Sequence, residues 1–339
     1  MTELAAFITH LTDSKRGPAV LATLVGVVGS SYRRPGARLL VTATGQRLGS
    51  ISGGCLEEDV LLRARTVATT GRPELVTYDT SSENDLVWGV GLGCHGVVHV
   101  LLESIPSPAP GWVHTLAANL AARRPTPIAV TWRSTDPRQP LGTQLTPVQQ
   151  SSLTSAPSPT FAVFHETITP APSLIIFGAG DDAQPLAQLA HTLSWQVTIA
   201  DPRTTFATAA RFPTADLLIV APAYELVARV APEPDACAVV MTHHYVHDVP
   251  ILRNLLSCDF PYIGLLGPKK RATRILADLA RDGFVPNPER LACLHAPIGL
   301  DLGADAPADV ALSILAEIQA RRSGRDARPL RERVRPIHE

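Results

Sequence analysis

Cysteine is scarce in this chain and poorly spaced for either disulfides or metal clips. Cys55, Cys94, Cys237, Cys258 and Cys293 are odd in number, and no Cys-x-x-Cys occurs. That excludes a disulfide framework and fits a reducing compartment. Aromatic residues make up only 5% and the formal net charge is −1. Without a basic excess, or aromatics interleaved with cations, nothing points to a nucleic-acid partner. No apolar run is long enough to span a membrane. Met1-Thr2-Glu3-Leu4 offers neither the charged start nor the apolar stretch of a secretory signal. These absences predict a cytoplasmic protein that engages neither membranes nor nucleic acid. What is plentiful is proline, 30 in 339 residues, a length that accommodates two domains.

The clearest pattern lies in the second half. Ser173-Leu174-Ile175-Ile176-Phe177 runs directly into Gly178-Ala179-Gly180 and then a helical pattern from Asp182 to Leu193. A continuous apolar run reads as a strand buried on both faces of a parallel sheet. Gly178 would permit the tight turn, Gly180 a close ligand approach, and Ala183 close helix–strand packing. Trp195 to Ala200 is the second strand. Asp201, which ends it, takes the position of the acid that accepts from a ribose 2′-hydroxyl. The same glycine turn also serves purely structural purposes. Arg203 leaves NAD against NADP open. Asp181 and Asp182 suit the helix dipole yet would repel a pyrophosphate on the same N–H groups.

Further along, the pattern predicts a short helix around Phe206 to Phe212 and a buried strand from Asp216 to Ala221. A strand from Cys237 to Thr242, another from Tyr262 to Leu266 and a sixth from Leu291 to Leu294 follow. A last helix runs from Ala306 to Arg322. His243 and His247 follow the fourth strand at helical spacing with Asp248 beside them. Metal or proton-transfer chemistry and plain helix capping are both open there. Lys269-Lys270-Arg271 is either a phosphate-neutralising loop or a solvated basic face.

The first half reads as a mixed α+β domain over 1–168, ended by the connector Thr169-Pro170-Ala171-Pro172; the Rossmann-like doubly wound parallel sheet occupies 173–322, and 323–339 is an extended tail. Two loops of the first domain are glycine-rich. A strand from Arg47 leads into Ser52-Gly53-Gly54-Cys55, and a helix opens at Leu56. A loop of Arg33, Arg34 and Arg38 lies on a preceding strand pair. Together these suggest an anion or metal site that includes Gly53, Gly54, Cys55 and Arg34; the bland reading makes Cys55 one small residue in a tight turn. Cys94-His95 sits among four glycines, where the backbone can approach a ligand. Cys55 and Cys94 are expected to meet. The segment Arg133 to Pro159 is polar and is expected to be loop, with a short helix near Pro147 to Leu153.

Motifs along the whole chain resemble the XdhC/CoxI family of molybdenum-hydroxylase accessory proteins, in its CoxI-like branch. They are Gly29-Ser30-Ser31, Arg34-Pro35-Gly36-Ala37, Gly49-Ser50-Ile51-Ser52-Gly53-Gly54-Cys55-Leu56-Glu57, Gly93-Cys94, Phe177-Gly178-Ala179-Gly180, Met241-Thr242-His243, and His295 to Ala304. The resemblance implies a chaperone that binds molybdenum cofactor, as molybdopterin or its dinucleotide, and delivers it in sulfurated form to an apo xanthine- or CO-dehydrogenase-type hydroxylase. A cysteine desulfurase partner and a homodimer go with it. The site would draw on Arg34, Gly53, Gly54, Cys55, Cys94, Gly178, Gly180, Asp201 and His243, with Cys55 and Cys94 facing the metal and sharing a cleft with the Rossmann loops, within this chain or across a dimer interface. The alternative is an NAD(P)-dependent oxidoreductase built on the Rossmann register, with His243 or His247 as proton donor.

Overall fold

The structure is a computed structural model that describes residues 3–79, 96–147, 158, 160–231, 233 and 235–334. The chain divides into two compact units, Met1–Pro170 and Ala171–Glu339. No helix among the described residues is long and apolar enough to cross a membrane.

The first unit is built on β1 (Ala19–Gly29), β2 (Arg38–Thr42), β3 (Arg47–Gly49), β4 (Glu74–Asp79) and β5 (Gly96–Ile105), an antiparallel sheet in the order β3-β2-β1-β5-β4. Helix α1 (Glu3–Thr12) precedes β1, and α2 (Glu57–Thr70) joins β3 to β4. Alternate residues of β1 serve two cores. Val20, Ala22 and Leu24 pack with Val60, Ala64 and Val67 of α2. Ala19 and Leu21 face Phe7 of α1. Val25 packs with Leu101, Val130 and Trp132 under a smaller antiparallel sheet of β6 (Thr126–Ser134), β7 (Gly142–Leu145) and β8 (Phe161–Ile168). A strand covered on both sides has no reason to alternate polar and apolar residues, which is why β1 reads as a continuous run. Helix α3 (Gly111–Ala121) connects the two sheets. Between β6 and β8, where loop was expected, β7 forms; the short helix expected near Pro147 to Leu153 falls almost wholly outside the described residues.

The second unit is a six-stranded parallel sheet in the order β11-β10-β9-β12-β13-β14, a doubly wound arrangement. Its strands are β9 (Ser173–Phe177), β10 (Gln196–Ala200), β11 (Leu217–Ile219), β12 (Cys237–Val240), β13 (Tyr262–Leu265) and β14 (Leu294–His295). Leu174 and Ile176 point to one face, where α4 (Ala183–Thr192) and α9 (Pro307–Arg322) supply Leu186, Ile314 and Ile318. Ile175 and Phe177 point to the other, against Leu226 of α5 (Leu226–Val230), Ile251 and Leu255 of α6 (Tyr245–Leu256) and Ile275 of α7 (Lys269–Arg281).

Three expectations are corrected here. Residues 204–211 form successive turns rather than a helix, with the Arg203 guanidinium 3.8 Å over the Phe206 ring and Pro213 closing the segment. The strand at Leu217–Ile219 is a short, half-exposed edge rather than a buried strand. Leu291 belongs to α8 (Pro288–Ala292), not to a strand. Asn287 caps that helix by accepting from the Arg290 N–H at 2.8 Å, and Pro288 takes its first turn.

Candidate functional site

Three loops meet at one end of the first unit's sheet. Gly49 pairs with Leu39, Arg38 with Thr23, and Gly96 with Gly29. The Ser50–Leu56 turn, the Ser30–Pro35 loop and the point where the chain re-enters the sheet at Gly96 therefore lie along the same edge. The approach is close: a Cβ on Gly96 would collide with the Ser30 carbonyl oxygen, so only glycine fits there. The ring of Tyr32 lies 3.8 Å from where a Gly53 Cβ would be, which brings the arginine loop against the Cys55 turn.

Glu57 shapes that turn. Its carboxylate is buried, with Oε1 accepting from the backbone N–H groups of Ser52 at 2.9 Å and Ile51 at 3.2 Å and from Ser50 Oγ at 2.8 Å. Oε2 accepts from the Ser52 hydroxyl. Ser52 Oγ in turn accepts from Gly54 N at 3.1 Å and Leu56 N at 3.2 Å. Burial pushes the Glu57 carboxyl up, but the hydrogen bonds from Ser52 and Ser50 outweigh it and hold the group below the ordinary glutamate range. This network curls the chain away from the sheet: β3 ends at Gly49, and Ser52–Cys55 form the expected strand-to-helix turn before α2. Gly53, Gly54 and the Cys55 thiol are left exposed at the start of α2. Cys237 is the opposite case: burial raises its thiol to about 11, and it is a core residue.

In the sequence, Glu57 stood as the last residue of the Gly49-to-Glu57 motif, with no role assigned. A sharper signal was present, since Glu57 shares the helix face of Val60, Ala64 and Val67, and all four are buried.

Arg33 and Arg38 make ion pairs within the unit. Arg33 Nη2 lies 2.9 Å from Glu3 Oε2, and Arg38 Nη2 lies 2.6 Å from Glu166 Oε2. Arg34 is exposed on the loop, and its backbone carbonyl accepts from Ala37 N at 3.1 Å. Cys94 lies outside the described residues, and so does the expected meeting of Cys94 with Cys55.

In the second unit, Gly178 has φ +118, and a Cβ there would sit 2.5 Å from the Met241 carbonyl oxygen. Asp201 is fully buried. Its Oδ2 accepts from Ala179 N at 2.7 Å and Arg203 Nη2 at 2.8 Å, and its Oδ1 from Arg203 N and Nε at 2.8 and 2.9 Å. The acid expected at a ribose hydroxyl thus braces the glycine turn. Burial opposes its ionisation, yet the Arg203 hydrogen bonds and charge keep it below the usual aspartate range.

The histidines also differ from expectation. His243 adopts φ 60 outside the helix, and α6 begins only at Tyr245, so His243 and His247 do not share a helix face. It is His244 and His247 whose rings lie 5.4 Å apart. His243 Nε2 instead meets Asp182 Oδ2 at 2.6 Å, while Asp181 Oδ1 is held by Arg211 Nη2 at 2.9 Å. Asp248 is buried, accepting from Thr242 Oγ1 at 2.5 Å and Arg271 Nε at 2.7 Å, which ties the end of β12 to α7. Arg271 is therefore a structural partner, whereas Lys269 and Lys270 stay exposed. No group of three or more His, Cys, Asp or Glu side chains among the described residues is arranged to hold a metal ion.

Comparison with known proteins follows the same division. Residues 13–79 match the XdhC and CoxI family, and residues 174–318 match the XdhC Rossmann domain. A Bacillus subtilis (strain 168) protein described as a probable xanthine dehydrogenase subunit is 36% identical over 313 residues, covering 88% of this chain and 92% of its own. The chain belongs to the XdhC and CoxI family. A member from Escherichia coli (strain K12), described as "Molybdenum cofactor insertion chaperone PaoD", is 25% identical over 88% of this chain and 82% of its own. A crystal structure described as a xanthine dehydrogenase from Bacillus halodurans superposes with a TM-score of 0.81 at 32% identity, over 97% of this chain and 99% of that one. These XdhC and CoxI relatives span both units.

Proposed function

We propose that this XdhC/CoxI protein binds molybdenum cofactor, protects it, and hands it in sulfurated form to an apo molybdenum hydroxylase, with a cysteine desulfurase supplying the sulfur. The observation that carries the reading is the exposed Cys55 thiol on a turn that buried Glu57 holds open, at the sheet edge where the Gly29-Ser30-Ser31 loop and the strand after Cys94-His95 converge. The PaoD-like relative supports it by what its description says it inserts. The cofactor is cargo: its dithiolene-bound molybdenum supplies the hydroxylase's chemistry after transfer. This chain's part is to present a soft thiol ligand to the metal end and N–H or cationic donors to the anionic end. No other described cysteine is as exposed as Cys55. The buried, internally bonded Asp201 leaves the oxidoreductase reading without its ribose acceptor.

The test is retention of molybdenum cofactor through anaerobic gel filtration, followed by molybdenum content per chain. Wild type is expected to retain about one equivalent or less, and Cys55→Ser to lose most of it, with Cys55→Ser plus Cys94→Ser losing the remainder. Because Cys55 is exposed, Cys55→Ser should change stability by less than about 0.5 kcal/mol. Equal retention by wild type and the double variant removes the cysteines from the site.

A further inference from the structure

We infer that the ligand's phosphate and flat ring are read by the first unit itself, in the depression beside the Cys55 turn, and not at the Gly178 turn of the Rossmann unit. The inference rests on the cofactor-binding reading above and assigns Arg47, Tyr32 and Arg33 as the recognition residues.

The depression is lined by Tyr32, Arg33, Arg47, Ser52, Gly53 and Gly54. Arg47 stands exposed at the start of β3, paired through its backbone with Val41, and its side chain makes no ion pair or hydrogen bond among the described residues. A guanidinium carries a fork of donors that matches a phosphate. Among the described residues the Arg33 side chain has one polar contact, from Nη2 to the Glu3 carboxylate, and its fork holds further donors. Glu57 is the carboxylate in this wall, and both its oxygens already accept hydrogen bonds from its own turn. The glycine pair keeps side chains out of this space. Tyr32 is 67% exposed and lies against the Gly53 backbone. It presents an aromatic face on which a heterocycle can stack.

The Rossmann turn offers the reverse. The Ala179 N–H is taken by Asp201. The start of α4 carries the Asp181 and Asp182 carboxylates, and the side chains beside them, Arg211 and His243, are bound to those acids rather than open to a phosphate. Lys269 and Lys270 lie on α7, beyond Gly267. Molybdopterin carries its phosphate on a short arm beside the dithiolene. A ligand whose anionic and metal-binding ends are close together suits a depression lined by Arg47 and by Gly53 and Gly54, the residues that lead into Cys55.

The experiment is an anaerobic fluorescence titration of the full-length protein with molybdenum cofactor, repeated with inorganic phosphate as competitor. Arg47→Ala is expected to weaken binding at least tenfold, Arg47→Lys less, and Tyr32→Ala several-fold. A Lys269→Ala, Lys270→Ala variant is expected to bind as wild type. Millimolar phosphate should weaken cofactor binding to wild type and have little effect on Arg47→Ala. Arg47 is exposed, and an unchanged circular-dichroism melting curve shows that its loss leaves the fold intact. If wild type binds and Arg47→Ala binds equally well, this inference is overturned while cofactor binding stands. Loss confined to the lysine variant overturns it by moving the phosphate to the Rossmann edge. Absence of binding to wild type overturns both readings.

Discussion

Glu57→Gln is expected to loosen the Cys55 turn and abolish most cofactor retention while leaving α2 and the sheet in place. The buried carboxylate accepts from two backbone N–H groups and two hydroxyls. An amide supplies one acceptor oxygen and turns an NH2 toward groups that are themselves donors. Hydrogen bonds to a charged group contribute roughly 1.5–3 kcal/mol, and a buried donor left unpaired costs about 1–3 kcal/mol. Loss of about 2–3 kcal/mol of local stability follows, read as faster amide exchange at Ile51 and Ser52. Glu58→Gln, one residue on and exposed, should change stability by less than about 0.5 kcal/mol.

The pH dependence has a definite sign. The folded-state carboxyl of Glu57 titrates below its ordinary value of 4.5. Its contribution is present above the unfolded pKa and is lost as the pH falls through the lower folded value. Wild type should therefore show an acid-side loss of turn protection below about pH 4.5, and Glu57→Gln should lack that component. Equal acid sensitivity in the two proteins would assign the loss to other carboxylates.

The second large effect is Gly178→Ala. The residue has φ +118, and its new Cβ would stand 2.5 Å from the Met241 carbonyl oxygen and 2.8 Å from Thr242 N. Those atoms are backbone at the end of β12, tied to β9 by Met241 N donating to Phe177 O at 2.8 Å. Neither can move without breaking the central strand pair. Backbone strain of about 1–3 kcal/mol adds to overpacking of about 1–3 kcal/mol. The second unit should unfold at markedly lower urea. Gly180→Ala is the control within the same motif. Its φ lies outside the left-handed region, and its Cβ would crowd side-chain atoms rather than backbone: Asp182 Oδ1 at 2.6 Å, which can shift at the expense of its contact with His243, and His243 Cδ2 at 3.9 Å. A loss below about 1 kcal/mol is expected there. Similar losses for both variants would mean that the turn is not held by its approach to β12.

The contrast between these two glycines also shows what was legible in the sequence. The unbroken run Leu174–Phe177 with Gly178-Ala179-Gly180 announced a strand buried on both faces and its turn, and the doubly wound sheet followed. The turn's partners were not legible, because they come from β12 and from Asp201, more than 20 residues away. Position alone nominated Asp201 for a ribose hydroxyl; only tertiary geometry shows its four hydrogen bonds turned inward. His243 and His247 fell at helical spacing, but φ 60 at His243 places the helix start beyond it. In the first unit, Gly53, Gly54 and Cys55 stood out by composition. Glu57 and Arg47 did not, since an acid in a first helical turn and an arginine opening a strand are ordinary. Their weight comes from burial in one case and, in the other, from a side chain with no partner among the described residues.

The central claim is that this chain delivers cofactor rather than merely holding it. The direct measurement loads the protein anaerobically with sulfurated molybdenum cofactor, mixes it with a purified apo molybdenum hydroxylase, and follows recovery of hydroxylase activity against the same concentration of free cofactor. The account predicts faster and more complete recovery from the loaded protein, with Cys55→Ser reduced to the rate of free cofactor. Recovery no better from the loaded wild-type protein than from free cofactor would contradict it.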